Sequence, residues 1–550
     1  MCACCEQLKN ELAEMGKKLS DRDRQFEALN QELQLALQTI NMMRHQMFGR
    51  SSEQMHPGQG QFESLLDECD SINGETPDEK SDVEKIEYER RKKKNLNGRL
   101  KIPDHLERVE KFIDLPESEK ICPVTGLPMI RIGEEISERL AYEPGRLYAI
   151  RYIRPKYVSP DRREGGKVGV RTAPLPDGPI DRCKADVSLL AHIVVSKFCD
   201  HQPLHRQRGI LARHGMLLPG STMGDWTKNV GNALEPLAML VRETVLASDY
   251  INADDTHILF VSGKKAAKGK KKAKKDKGAR KGHMWAYLCR INDPPDEEGK
   301  SKKNKLVFFE FTEDWKEEHP ERVLENFKGH LQTDAYGGFK KVCDKKDEIT
   351  GKKLDDVIGI GCWSHARRKY FAASEIGVKE AKYFVMLINI LYRIEHRIAD
   401  LEEKGCSEEY LFYLRRKRAN RVMDRFFEKV KATTLLPKTP LGKALTYSRN
   451  QEQELRRYVD QLRFRPDNNV IEQVLRTPGL GRKNYVFLGS ECGGKTAAIL
   501  YTLICSCKAN GIDPYEYLKD VLTRINSHPH SKLHELLPHN WEHLRKQTQK

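Results

Sequence analysis

At 550 residues, with 38% hydrophobic and 32% charged side chains, the chain is long enough for roughly three or four domains and polar enough to need long solvated helices and linkers. Its 96 Lys and Arg against 80 Asp and Glu leave a net charge of +16, which favours a polyanionic partner, nucleic acid being the natural candidate. No run reaches the roughly 18 apolar residues of a membrane span, no secretory leader is evident, and the 14 cysteines are scattered. A cytoplasmic protein with reduced thiols and no membrane partner is therefore expected.

Within residues 1–50, Leu8, Leu12, Met15, Leu19, Phe26, Leu29, Leu33, Ala36, Ile40, Met43 and Met47 step alternately by four and three, with Arg22 breaking the seam. This heptad predicts a coiled coil and hence a homo-oligomer, in preference to an intramolecular hairpin. Residues 51–100 turn polar, ending in the basic run Arg90 to Lys94, and read as linker. Residues 101–175 hold strand-like alternation such as Leu147 to Arg154 and a lone Cys122.

Residues 180–245 read as helices: Val187 to Phe198, Pro203 to His214, a glycine turn, then a short helix capped by Ser221 and running through Trp226 to Val230, before Leu234 to Leu246. Two short helices around a glycine turn suggest a helix-turn-helix-like DNA-binding domain, with Arg206, Arg208, Arg213, Thr222 and Lys228 as candidate contacts. Plain helical scaffolding is the alternative.

In Ser248 to Val261 apolar runs squeeze Asp254 and Asp255 into a strand. A buried carboxylate is costly unless it is paired or holds a metal. Side chains alternate along a strand, so Asp254 shares a face with Thr256 while Asp255 points away. A low-complexity Lys, Ala and Gly run from Gly263 to Gly282, including Lys270, Lys271 and Lys272, is expected to be a disordered loop placing lysines near DNA backbone, or a solvated insertion without a role. It leads into strands His283 to Cys289 and Leu306 to Phe311.

Asp334 stands where the apolar start of Leu331 to Gly338 gives way to glycines, and Glu472 lies in the short helical pattern Asp467 to Arg476. Three such carboxylates suit hard divalent cations, and a pair of ions at about 3.5–4 Å activates an attacking oxygen while stabilising a leaving one. Each also has a plain structural reading. Asp254 fits a satisfied core carboxylate and Asp334 a turn; Glu472 fits a capping box with Asn469, or an ion pair with Arg476. Residues 372–458, between Asp334 and Glu472, read as a helical insertion.

Gly489, Gly494, Lys495 and Thr496 match the phosphate-binding pattern G-x-x-x-x-G-K-T. Too little chain follows to build the sheet of a nucleotide triphosphatase, so no ATP is expected and the glycines are read as allowing close approach to the Glu472 helix or to substrate backbone. Asp513 is expected to cap a final helix through Leu522, followed by a frayed basic tail within 508–550.

The blocks Ala253 to Thr256, Leu331 to Tyr336, Gly361 to Arg368, Asn468 to Glu472 and Gly481 to Asn484, with Phe48 to Glu53 before them, resemble the insertion sequence 66 family of bacterial transposases in collinear order from about residue 40 to 525. The resemblance implies an α/β, ribonuclease-H-like catalytic core, split into 246–371 and 459–507, with Asp254, Asp334 and Glu472 as catalytic ligands of two Mg²⁺ or Mn²⁺. It implies cleavage and strand transfer of insertion-sequence DNA, and leaves open a need for accessory proteins encoded by the same element. Trp363, His365, Thr256, Asn468 and Asn469 are then supporting residues, and Arg367, Arg368, Arg482 and Lys483 candidate DNA contacts. In that family residues 101–175 resemble a four-cysteine zinc finger. Here Thr125, Ser159 and Arg162 replace three of the four ligands, leaving Cys122, so a degenerate, zinc-free module is expected. Cys362 with His365 supplies two candidate ligands, too few for zinc. The missing cysteines also sustain the rival reading of a domesticated DNA-binding protein with a decayed catalytic core.

Overall fold

The computed structural model describes residues 183–261, 279–292, 303–345, 356–435 and 438–541, with shorter pieces within 15–40, 145–157 and 171–181. The expected lysine loop with Lys270, Lys271 and Lys272, and the degenerate zinc module with Cys122, lie outside the described residues. Described residues of the N-terminal seam are helical, and Met15, Leu19, Phe26, Leu29, Leu33 and Ile40 are exposed.

Three helices lead in: α1 (Val187–Phe198), capped by the Asp186 side chain, α2 (Leu204–Arg213) and α3 (Gly220–Leu246). The short helix expected from Ser221 does not form. Gly220 to Leu246 is one 27-residue helix with Pro219 at its N-cap, and Ser221 is exposed. The reason is packing, since Met223, Thr227, Val230, Leu234, Leu237, Val241 and Val245 bury one continuous face across the expected break.

Strands β1 (Tyr250–Val261), β2 (Ala279–Asn292) and β3 (Lys303–Thr312) form an antiparallel meander. After the short α4 (Glu318–Val323), β4 (Gly329–Gln332) pairs parallel with the first half of β1. Past α5 (Gly337–Cys343), β5 (Val357–Ile360), a strand the sequence did not announce, pairs parallel with β4. The order is β3-β2-β1-β4-β5. β2 is buried from Gly282 to Cys289, as the middle of a central strand of Met, Trp, Ala, Tyr, Leu and Cys must be.

Helices α6 (Trp363–Glu375), α7 (Lys379–Glu403), α8 (Glu408–Ala432), α9 (Pro440–Asn450) and α10 (Glu452–Arg456) follow. They bury their own core around Phe384, Phe426, Phe427 and Trp363. Inside it Arg415, fully buried, pairs with Glu395 at 2.5 Å and donates to the carbonyls of Gln461, Leu462 and Phe464. That fixes the path of the chain into α11 (Asn469–Tyr485), β6 (Phe487–Leu488) and α12 (Glu491–Ala509). α11 is longer than the short helix expected there.

α12 solves the problem of the exposed edge of β3. Thr502, Ser506 and Asn510 accept the N–H groups of Phe309, Val307 and Lys305 at 2.9, 3.0 and 2.9 Å. Four helical residues advance about 6 Å and two strand residues about 6.6 Å, so the two ladders stay in step. The edge that would otherwise pair with another chain is closed by side chains. The chain also does not fray after Leu522. Following α13 (Pro514–Arg524), Leu533, Leu536, Leu537 and Trp541 pack into the main core, Tyr517 donates to the Leu536 carbonyl at 2.8 Å, and Trp541 donates to Asp520 at 2.6 Å. The apolar spacing of 533–541 outweighs its surrounding histidines and lysines.

Ser506→Ala strands the buried Val307 N–H and is expected to cost about 1–3 kcal/mol, read as a lower denaturation midpoint and faster hydrogen exchange of that amide. Ser221→Ala should change neither.

Candidate active site

Strand alternation puts Asn252, Asp254 and Thr256 on one face of β1. α11 lies across that face and is tied to it at both ends. At its N-terminus Asn468 donates to the Ala253 carbonyl (2.9 Å) and accepts from Asn252 (2.8 Å). Near its C-terminus Arg482 donates to Thr256 Oγ1 (2.7 Å) and the His257 carbonyl (2.5 Å). Glu472, one turn beyond Asn468, enters an open groove shared with Asp254, Asp255, Thr256, His365, Arg368, Arg476, Arg482 and Lys483.

Gln332 carries the network to β4. Its side-chain oxygen accepts from Tyr250 (2.5 Å) and Asn252 (3.1 Å), and its amide donates to the carbonyls of Gly361 (3.3 Å) and Arg465 (2.7 Å). Two residues on, Asp334 leaves the strand end and accepts the Tyr336 N–H at 3.0 Å. Its charge is felt at Asp254. Burial first, and then the Asp334 carboxylate, push the Asp254 carboxyl up to about 8, and burial raises Asp334 as well. A site that resists the ionisation of its own acids favours a bound cation.

Glu472 matches neither plain structural expectation. Asn468, the N-cap, makes no side-chain cap bond, and the partner of Glu472 Oε2 is Arg368 at 2.5 Å rather than Arg476. Its other oxygen, Oε1, is buried without a hydrogen bond, 3.8 Å from His365 Nδ1, which is likewise buried and unpartnered. Arg368 donates to His365 Nε2 at 3.3 Å, which leaves the ring proton on Nδ1, so Glu472 Oε1 is the orphaned acceptor here, and it fits a bound cation. Burial and then Arg368 depress the His365 imidazolium, so the neutral ring able to accept is favoured. Cys362, His365 and Glu472 bring donor atoms within 4.8 Å, a third ligand that the spacing of Cys362 and His365 does not reveal. Burial pushes the Cys362 thiol up to about 12, and its sulfur accepts the Asn468 N–H at 3.3 Å. It is a neutral thiol inside the network.

The remaining predicted residues scatter. Trp363 donates to the Leu455 carbonyl (2.9 Å) and packs edge-on against Phe426, within the helical core. Arg367 is bound to Asn389 at 3.0 Å. The Asn469 N–H donates to Asp467 (3.1 Å). Arg206, Arg208, Arg213 and Lys228 are exposed on α2 and α3, Thr222 is half-buried, and none of the five lines the groove. Asp255 does point away from Asp254, but not to open solvent. Its oxygens hold His283 Nδ1 (2.5 Å) and Trp315 Nε1 (3.1 Å). Arg476 and Leu475 in the groove were legible only as the helix face continuing from Glu472.

The phosphate-loop pattern is the start of α12. Ser490 caps it by accepting the Gly493 N–H at 3.0 Å, and Lys495 pairs with Glu491 at 2.9 Å. The glycine that matters there faces the sheet rather than α11 or substrate. A Cβ on Gly494 would sit 2.5 Å from the Phe311 ring.

A family model described as Transposase IS66 family matches residues 182–496. The chain belongs to that family. An IS66 C-terminal element matches 502–539, and a model described as Transposase C of IS166 homeodomain matches 36–110. Two proteins of Sinorhizobium fredii (strain NBRC 101917 / NGR234) are similar: Uncharacterized protein y4qI, 31% identical over 442 residues (80% of this chain, 76% of that one), and Uncharacterized protein y4jD, 32% identical over 446 residues (80% and 81%). Membership implies a DNA-binding transposase, and families of this type generally use divalent metal ions. Among the described residues no helix is long and apolar enough to cross a membrane.

The shift at Asp254 sets a pH dependence. The folded carboxyl titrates at about 8 and an unfolded one near 4, so between those values the folded chain holds the extra proton and stability falls as pH rises. The metal-free chain is expected to lose unfolding temperature between about pH 5 and pH 8, and Mn²⁺ should restore more of it at the higher pH. Asp254→Asn should flatten both trends in a thermal-shift series. An equal Mn²⁺ effect at both pH values would contradict the assignment.

Proposed function

We propose that the chain is a DNA transposase of the Asp-Asp-Glu type, with Asp254, Asp334 and Glu472 as ligands of two Mg²⁺ or Mn²⁺ in a ribonuclease-H-like core. The observation that carries this reading is the convergence of three carboxylates, from β1, from the end of β4 and from α11, so that two of them line one groove and the third raises the pKa of Asp254. The sheet order, with three antiparallel strands, β4 and β6 parallel to β1, and β5 parallel to β4, supports the core. Residues 372–458, which hold α7 to α10, are its insertion.

When bound, such ions activate the attacking oxygen and stabilise the leaving one in phosphodiester cleavage, and a DNA 3′-hydroxyl as nucleophile gives strand transfer. The chain's own residues position the substrate. Arg476, Arg482 and Lys483 present positive charge along the groove where a phosphate must lie. Arg368 holds Glu472 from the α6 side, so it orients a ligand rather than meeting DNA alone. Arg206, Arg208, Arg213, Thr222 and Lys228 on the α2–α3 pair would supply contacts away from the carboxylates, and Lys270, Lys271 and Lys272 would supply further contacts to the DNA backbone. The N-terminal seam would join copies of the chain, in a cytoplasmic assembly on DNA.

Asp254→Asn, Asp334→Asn and Glu472→Gln are each expected to abolish Mn²⁺-dependent cleavage of a labelled duplex from the element's ends, a loss of more than about 10²–10³ in rate, with binding in Ca²⁺ retained. Asp255 cannot serve as a silent control, because it clamps His283 and Trp315; Asn469→Ala serves instead and should keep activity. A wild-type chain that binds the ends yet leaves them uncut would instead be a DNA-binding protein.

A further inference from the structure

Trp315, between β3 and α4, keeps 52% of its surface exposed. Its one polar atom is spent, since Nε1 donates to Asp255 at 3.1 Å, so what faces solvent is bare aromatic and backbone surface. The ring is also held flat. It stacks on His283 (5.3 Å between centroids, 9° between planes) and on Tyr336 (4.5 Å, 19°), and the Tyr336 hydroxyl donates to the Trp315 carbonyl at 3.0 Å. Beneath, buried Trp285 touches His283, Tyr336 and Phe339 and donates to Thr312 at 2.8 Å. A lone exposed indole needs no explanation, but one pinned by a carboxylate, a hydroxyl and two stacked rings is preorganised for something flat.

Its position says what. Asp255, which clamps it, follows Asp254 in the chain and itself lines the groove, while Tyr336 donates its N–H to Asp334. The stack is therefore tied to the chain neighbour of Asp254 through the indole, and to Asp334 through the Tyr336 backbone. A flat ring attached to a phosphodiester whose phosphate lies at those carboxylates is a nucleobase beside the scissile bond. Every base offers a π-face, so no sequence readout is needed. A base paired inside a duplex already has both faces covered and cannot use such a platform without leaving the stack.

We infer that Trp315, backed by His283 and Tyr336, is a stacking platform for one unpaired base of the DNA, next to the bond that is cut. The inference rests on the groove being the phosphodiester site. Its test reads stacking without cleavage, so that it stands apart from the catalytic variants. A short duplex carrying one unpaired 2-aminopurine is bound in Ca²⁺, beside the same duplex fully paired. The wild-type protein should quench the unpaired probe and prefer that duplex. Trp315→Ala should lose the quench and weaken binding of that duplex roughly five- to hundred-fold, the range for one base on one aromatic ring, while affinity for the paired duplex is unchanged. Trp315→Phe should recover most of both. Wild-type protein that fails to discriminate between the duplexes would overturn the platform. So would Trp315→Ala with an intact quench, or with equal losses on both duplexes, the mark of a merely structural role through Asp255. Cleavage surviving in Glu472→Gln or Asp254→Asn would sink the catalytic reading and leave these binding measurements as they stand.

Discussion

The carboxylate groove depends on one buried polar network. Asn252 on β1, Gln332 at the end of β4 and Asn468 at the start of α11 hydrogen-bond in a chain, Asn252 donating to both of the others. All three are almost fully buried, where an unsatisfied amide would be costly, so the satisfied arrangement is strongly selected over its neighbours. Each of the three lies close in sequence to one of the carboxylates: Asn252 before Asp254, Gln332 before Asp334, Asn468 before Glu472. Register set at the amides is thereby transmitted to the acids.

The surrounding layers hold that network from both sides. On one, α12 and α3 close over the meander, with the Thr502, Ser506 and Asn510 ladder securing β3 and the tight seat of Gly494 against Phe311 setting how near α12 can come. On the other, the helices between β5 and α11 form a separate core whose buried Arg415 grips the carbonyls of Gln461, Leu462 and Phe464 just before α11. Removing one partner of such a buried pair leaves the other uncompensated, so the route into the Glu472 helix is specified by an ion pair remote from the groove.

Electrostatically the groove is unfinished by side chains alone. Burial and mutual repulsion oppose charge on Asp254, with Asp334 next to it, while Arg368 satisfies only one oxygen of Glu472. The opposite face of the same strand is finished. There Asp255 is hydrogen-bonded by His283 and Trp315. Two adjacent aspartates thus serve different ends because a strand sends them to different faces, one toward the carboxylates of the groove and one into an aromatic clamp.

By itself the sequence determined what is local. Strand alternation told Asp254 from Asp255, the apolar runs marked β1, β2 and β3, and the spacing of Val187 to Phe198 marked α1, because periods of 2 and 3.6 are written in neighbouring residues. Where local signals competed, only tertiary packing decided. Ser221 looks like a cap and Gly489 to Thr496 like a phosphate loop, yet a continuous buried face carries α3 past the first, and the Phe311 ring and the Ser490 cap turn the second into a helix start. The short parallel strand β5 carries too few residues to show a pattern. Above all, the partners that hold Glu472 and Asp254 in place are distant in sequence: Asn252 and Asn468 are 216 residues apart, Arg368 and Glu472 104. No window of sequence contains both members of such a pair, and the geometry of the groove exists only once the sheet has brought them together.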